Sequence, residues 1–186
     1  MRTTFLIAAI LAGAAASPAS AAHWDVDYAK SRLGFTVRWS GEPLTADFKS
    51  WKADIDFDAK DLAHSRVAVS VDLASEYSGL KDNDDGIQGA QGFQVSQFPT
   101  ARFEATKFTP VGGSIYEADG ALTIKGITRP VRLRFRLLQS GDSARVTGGA
   151  DVSRLDFSLG QGQWADEKVV AHRVSIHLEM QARRRP

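Results

Sequence analysis

The sequence predicts an all-β domain with a minor helical part, its antiparallel strands folded round one interior. Two observations carry this. Stretch after stretch alternates apolar and polar residues with a period of two, and turn-forming residues separate each stretch from the next. A third observation bounds the answer: there is no cysteine, so packing alone must hold the fold. Alternation on every strand suits a sheet closed into a barrel. It suits a two-layer sandwich equally well, because either has one oily face and one wet face.

The chain opens with a single positive charge, Arg2, and then an apolar run from Phe5 to Ala16 followed by Ala19-Ser20-Ala21. This pattern is that of a secretory signal, cleaved after Ala21 or Ala22. The run is shorter than the roughly 18–20 apolar residues a membrane span needs. The expected organisation is therefore a signal peptide over 1–21 and one domain over 22–186, exported to the periplasm. Losing Arg2 leaves 22 basic residues against 22 acidic ones. A net charge near zero gives no global attraction for nucleic acid.

The strands follow in order. WDVDYA is a short first one. In LGFTVRWS, Leu33, Phe35, Val37 and Trp39 share a face. The 45–57 stretch comes next. In RVAVSVDL, Val67, Val69, Val71 and Leu73 alternate with polar or small residues. Residues 100–107 form another strand, and IYEADGALTIK places Tyr116, Ala118, Leu122 and Ile124 together. In VRLRFRL, Val131, Leu133, Phe135 and Leu137 oppose Arg132, Arg134 and Arg136. The 144–157 stretch and VVAHRVSIHLEM complete a set of eight or nine. In the last, Val170, Val174, Ile176, Leu178 and Met180 share a face with His172. Ala59-Lys60-Asp61, Gly112-Gly113, Lys125-Gly126, Ser140-Gly141-Asp142 and Gly160-Gln161-Gly162 are the turns between them. Connections this short pair neighbours antiparallel.

Three places break the pattern. Residues 78–99, SGLKDNDDGIQGAQGFQVSQFP, have no period-two run and read as a long loop with one or two helical turns, of the kind that serves as a lid. In the 45–57 stretch, Ala46 and Phe48 are even but Trp51, Ala53, Ile55 and Phe57 are odd, which requires a bulge or bend near Ser50. Likewise Ala144, Val146 and Val152 give way to Leu155, Phe157 and Leu159, so a second irregularity is expected near Arg154.

Catalytic and metal signatures are missing. His172 and His177 lie five apart on one strand, on opposite faces, and cannot share a metal. KDNDDG fails as a calcium loop, because aligning Gly86 puts Lys81 at the first ligand position and Gly92 where the bidentate glutamate belongs. There is no G-x-S-x-G and no thiol nucleophile. No catalytic residue, metal site or cofactor is assigned. The row Arg132, Arg134, Arg136 reads first as the wet side of a strand, keeping the sheet from pairing with other chains. A membrane surface with anionic headgroups is the transient contact left open to it.

Five segments together resemble the YceI family: WDVDYAKSRLGFTVRW, FDAKDLAHSRVAVSVDLAS, QFPTARFEATKF, GALTIKGITRPVRL and RLDFSLGQGQWADEKVVAHRVSIHLEMQA. Their order and spacing cover essentially the whole mature chain, and Leu122 to Val131 is the most specific part. The resemblance implies an eight-stranded antiparallel lipocalin-like β-barrel with a long loop or helical lid. It also implies a periplasmic protein that binds a polyisoprenoid or other long-chain amphiphile, an isoprenoid quinone included, inside the barrel.

On that reading the oily faces line a tunnel. The expected lining residues are Phe35, Val37, Trp39, Phe48, Phe57, Val69, Val71, Phe103, Leu122, Ile124, Leu133, Phe135, Phe157, Trp164, Val174 and Ile176. Arg154 is added as a polar anchor: an arginine of inward parity must find a partner. The expected partner is an acid, Asp151 or Asp156, with a ligand headgroup as the alternative. Two other classes compete with a lipid carrier. A protein-interaction module would have its barrel filled by its own side chains. An enzyme acting on a lipid-like substrate would need polar groups clustered in the pocket.

Overall fold

A computed structural model describes residues 21–186. Apart from Ala21, the expected signal segment lies outside the described residues. The strands are β1 Trp24–Val26, β2 Arg32–Trp39, β3 Glu42–Phe48, β4 Trp51–Asp56, β5 Arg66–Asp72, β6 Glu76–Tyr77, β7 Thr100–Gly112, β8 Ile115–Ile124, β9 Ile127–Ser140, β10 Ser143–Ser153 and β11 Val170–Arg184. One helix, α1 Lys81–Gln88, stands between β6 and β7. No helix among the described residues is long and apolar enough to cross a membrane.

Every ladder is antiparallel, as the short turns require. The sheet runs β4-β5-β7-β8-β9-β10-β11-β2-β3-β6, with β1 alongside β11. It curls back on itself. Trp24 pairs with Arg184, His23 bridges to Asp56 of β4, and the Phe57 N–H donates to the Ala22 carbonyl at 2.9 Å. The eleven strands exceed the expected eight because two long strands are each broken by a bend. β3 and β4 are the halves of one, β5 and β6 of the other. With each pair counted once, eight long strands go round and β1 is an added short one.

Both parity shifts mark real breaks, a bend at Ser50, as expected, and a strand end at Arg154. At Lys49–Ser50 the chain bends from β3, which pairs with β2 and β6, into β4, which pairs with β5. The Ser50 N–H donates to Ser75 Oγ at 2.9 Å and its carbonyl accepts from the Asp72 N–H at 3.0 Å, so the two bends lie side by side. At Arg154 the strand simply ends, and a 3-10 turn takes over Arg154–Phe157. Further irregularities leave no mark in the alternation. The β7–β8 register slips between Ala105 and Lys107 and between Pro110 and Gly112. The β11–β2 register slips between Val170 and Val174. This takes His172 off the inward row assigned to it, and its Nδ1 lies 3.7 Å from Glu167 instead.

The arginine row faces outward. Arg132 bonds Asp119 at 2.6 Å and lies 3.5 Å from Glu117, which Arg134 also approaches at 3.6 Å. Exposed pairs of this kind are worth about 0–1 kcal/mol each. They neutralise two of the three arginines and add little to stability.

Candidate ligand-binding cavity

The inward faces do not fill the barrel. They line a cavity of about 280 Å³, roughly twice the ~150 Å³ apolar cavity known to hold a benzene molecule. Its wall draws on nearly every strand. Phe35, Val37 and Trp39 come from β2, Phe48 from β3 and Phe57 from just beyond β4. Val69 and Val71 on β5, Phe103 on β7, Leu122 and Ile124 on β8, and Leu133 and Phe135 on β9 continue it. Val174 and Ile176 on β11, with Arg154, Phe157 and Trp164 from the β10–β11 connection, complete the expected set at the wall.

Other wall residues were not singled out from the sequence: Trp24, Trp51, Leu73, Ile87, Phe93 and Phe108 among them. Trp51 shares the odd parity of Ile55, so alternation contained it. Ile87 and Phe93 sit in the lid, where no alternation marks them.

Two aromatic clusters form within the barrel. In one, Phe57 meets Phe108, Tyr116 and Phe135 with ring centroids 5.3, 5.6 and 6.0 Å apart. In the other, Phe93 of the lid sits 6.1 Å from both Phe35 and Phe48, edge-on to the first. These separations and tilts suit ring quadrupoles. The lid is pinned by its backbone: Phe93 N–H donates to the Ile87 carbonyl at 2.7 Å, and Gly160 N–H to the Gln91 carbonyl at 2.7 Å. Trp39 and Trp164 meet at 5.4 Å beside it.

Arg154 is 3 % exposed, and its partner is neither of the expected acids. Nε donates to the carbonyls of Val170 and Ala171 at 3.3 and 3.1 Å. Nη1 donates to Leu159 and Gly160 at 2.9 and 2.7 Å. Nη2 donates to Trp164, Ala165 and Val170 at 2.7, 3.3 and 2.8 Å. The five guanidinium N–H groups are all committed to backbone oxygens of the connection. Asp151 is taken by Arg173 and by Ser175 at 2.6 Å, and Asp156 lies exposed. Burial pushes the guanidinium's pKa down, with Glu167 opposing the shift. Gly160, at φ +67°, completes the cage, since a Cβ there would stand 2.6 Å from Nη1.

Glu76 is the second buried charge-bearing group, 3 % exposed. It lies under α1, where Gln88 Nε2 donates to its backbone oxygen at 3.0 Å and its Oε2 at 3.3 Å. Its Oε1 is buried and unpartnered. Burial, opposed by the Gln88 hydrogen bond and reinforced by nearby Asp84, raises its pKa to about 7. One group of metal-type ligands comes together among the described residues, His23, Asp54 and Asp56. Both carboxylates already pair with Arg66, at 2.9 and 2.7 Å.

Known proteins agree with this geometry. BcnA of Burkholderia cenocepacia superposes with a TM-score of 0.81 at 30% identity, over 84% of this chain and 99% of its own. A structure from Saccharophagus degradans, described as a polyisoprenoid binding domain, shares the fold with a TM-score of 0.70 at 12% identity, over 88% and 99% of the two chains. A UPF0312 protein of Vibrio parahaemolyticus is 27% identical over 167 residues, 85% of this chain and 82% of that protein. The profile of the YceI-like domain matches residues 24–182. The chain belongs to the YceI-like domain family.

Proposed function

We propose that the protein is an exported carrier that sequesters one long-chain amphiphilic lipid, of the polyisoprenoid or isoprenoid-quinone type, in the barrel. The observation that carries this is the apolar cavity inside the barrel. A module whose barrel is filled by its own side chains leaves no such space. An enzyme acting on a lipid needs polar groups converging on the substrate, and the buried arginine at the wall has its donors committed to carbonyls. The polyisoprenoid-binding description of the Saccharophagus degradans domain supports the same choice.

The energetics favour carrying over trapping. A buried methylene gains about 0.8 kcal/mol over water, but a bilayer is as oily as this wall, so transfer from one to the other is nearly neutral and release stays open. The signal-like residues 1–21 support export to the periplasm. Transient membrane contact fits Arg136, Arg145 and exposed Leu138, which pairs across the ladder with Arg145.

Native mass spectrometry of protein purified from its host, followed by solvent extraction, tests the reading. One lipid per barrel, lost on denaturation, is expected. A protein that is reproducibly lipid-free, and that takes up no prenyl chain offered in vesicles, overturns it.

A further inference from the structure

A long-chain ligand needs a way into the barrel, and two places differ in what its passage would break. At the lid end, lifting α1 and Phe93 off the barrel breaks the Gly160–Gln91 backbone bond and the Gln88–Glu76 hydrogen bonds, and parts the Phe93 ring from Phe35 and Phe48. Buried hydrogen bonds of this kind are expensive to leave unmade, and lid motions of such extent run on microseconds to seconds.

The barrel has a second weak place, where β3 bends into β4. The β2–β3 ladder stops at Gly34–Asp47, and β4 beyond the bend pairs only with β5 until the His23–Asp56 bridge at its far end. Between these points the wall is closed by side chains. Trp51 meets Tyr28 edge-on at 5.0 Å, and the Ala53 N–H donates to the Tyr28 hydroxyl at 3.1 Å. Tyr28 is 45 % exposed. Outside this seam lies a groove lined by Tyr28, Ser31, Arg32, Asp47, Lys49 and Ser50, and its floor is Phe48 and Trp51. The same two residues line the cavity within. Phe48 and Trp51 thus border both a polar groove and the apolar interior.

We infer that this seam is a lateral portal: the tail of an amphiphile passes between Phe48 and Trp51 while its oxygen-bearing head rests in the groove by Arg32 and Lys49. This rests on the carrier reading above. Opening needs rotation of Phe48, Trp51 and Tyr28, which parts Phe48 from the Phe35 and Phe93 rings, and the loss of one exposed hydrogen bond, with no strand pairing broken. The groove also supplies what the interior lacks, polar groups for a head. Arg32 bonds Asp47 at 2.8 Å but is exposed, and Lys49 Nζ lies 3.4 Å over the exposed Tyr77 ring.

The chain reports on this without a probe of its own. All four tryptophans, Trp24, Trp39, Trp51 and Trp164, line the cavity, so decylubiquinone, whose head quenches indole fluorescence, can be followed by stopped flow. With no native cysteine, Ser50→Cys and Ser96→Cys each carry a single thiol, the first in the groove and the second on the exposed lid. A bulky maleimide at Ser50→Cys should slow quenching at least tenfold at unchanged final amplitude. The same adduct at Ser96→Cys should leave the rate within twofold. Lys49→Cys repeats the groove test if Ser50→Cys folds poorly. Unslowed quenching with groove adducts, or equal slowing by the lid adduct, overturns the portal while leaving binding intact. No quenching of the unmodified protein overturns the carrier reading and the portal with it.

Discussion

The Nη2 of Arg154 donates to the carbonyl of Val170, sixteen residues on, at 2.8 Å. The bond ties the end of β10 to the start of β11 and holds the connection between them against the cavity. Removing the guanidinium leaves several buried carbonyls without donors, each costing about 1–3 kcal/mol. Arg154→Ala is therefore expected to lower stability by on the order of 3 kcal/mol in urea unfolding. Arg154→Lys should recover little of it, because an ammonium cannot reproduce the planar fork. An unchanged midpoint for either variant would contradict the cage.

Glu76 makes stability depend on pH in a direction opposite to most carboxylates. Its pKa is raised from 4.5 to about 7 in the fold, so between those values the folded state holds a proton the unfolded state has released. Its contribution is full below pH 4.5 and is lost as pH rises through about 7. The expected loss is on the order of 2 kcal/mol. Glu76→Gln should flatten this component, and should be the more stable protein at pH 8. Urea midpoints of both proteins at pH 5 and pH 8 check the sign.

Gly92 tests the lid. A Cβ there would lie 2.0 Å from the Ile87 carbonyl, the acceptor of the Phe93 N–H. Gly92→Ala must push that turn apart, at about 1–3 kcal/mol. Hydrogen exchange at the Phe93 amide should accelerate at least tenfold while amides of β8 and β9 stay protected. Equal protection throughout would mean the lid is not a separate unit.

Phe135→Glu tests the wall. The residue is buried in the cavity lining, and a carboxylate there opposes an apolar chain by several kcal/mol. The variant should emerge from its host without lipid while keeping a β-sheet circular dichroism spectrum. A folded variant that retains its lipid would move the ligand elsewhere.

The sequence made some of this legible and hid the rest for identifiable reasons. Period-two alternation reports which face a residue occupies, and so Phe35, Val69, Leu122 and Phe135 could be placed on one wall before any strand was paired. Parity located the breaks at Ser50 and Arg154 because a change of face needs a change of backbone. It could not distinguish a bulge from a bend or a strand end, since all three shift the count alike. The partner of Arg154 was misread for a deeper reason. Backbone carbonyls carry no letter, and an irregular connection that gathers six of them round one guanidinium looks the same in sequence as one that gathers none. His172 was misplaced by the slip after Val170, which lies inside a stretch whose alternation continues unbroken on the page.

The final strand has a consequence for when the molecule comes into being. β11 spans fifteen residues and pairs with β1, β2 and β10, so it is the stave on which both sides of the barrel close. A ribosome that has yet to deliver Val170–Arg184 holds a chain whose barrel cannot close. Pairing Trp24 with Arg184 also joins residues from opposite ends of the chain, a long-range contact of the kind that makes folding slow, on milliseconds to seconds. The barrel thus acquires an inside only with this last strand.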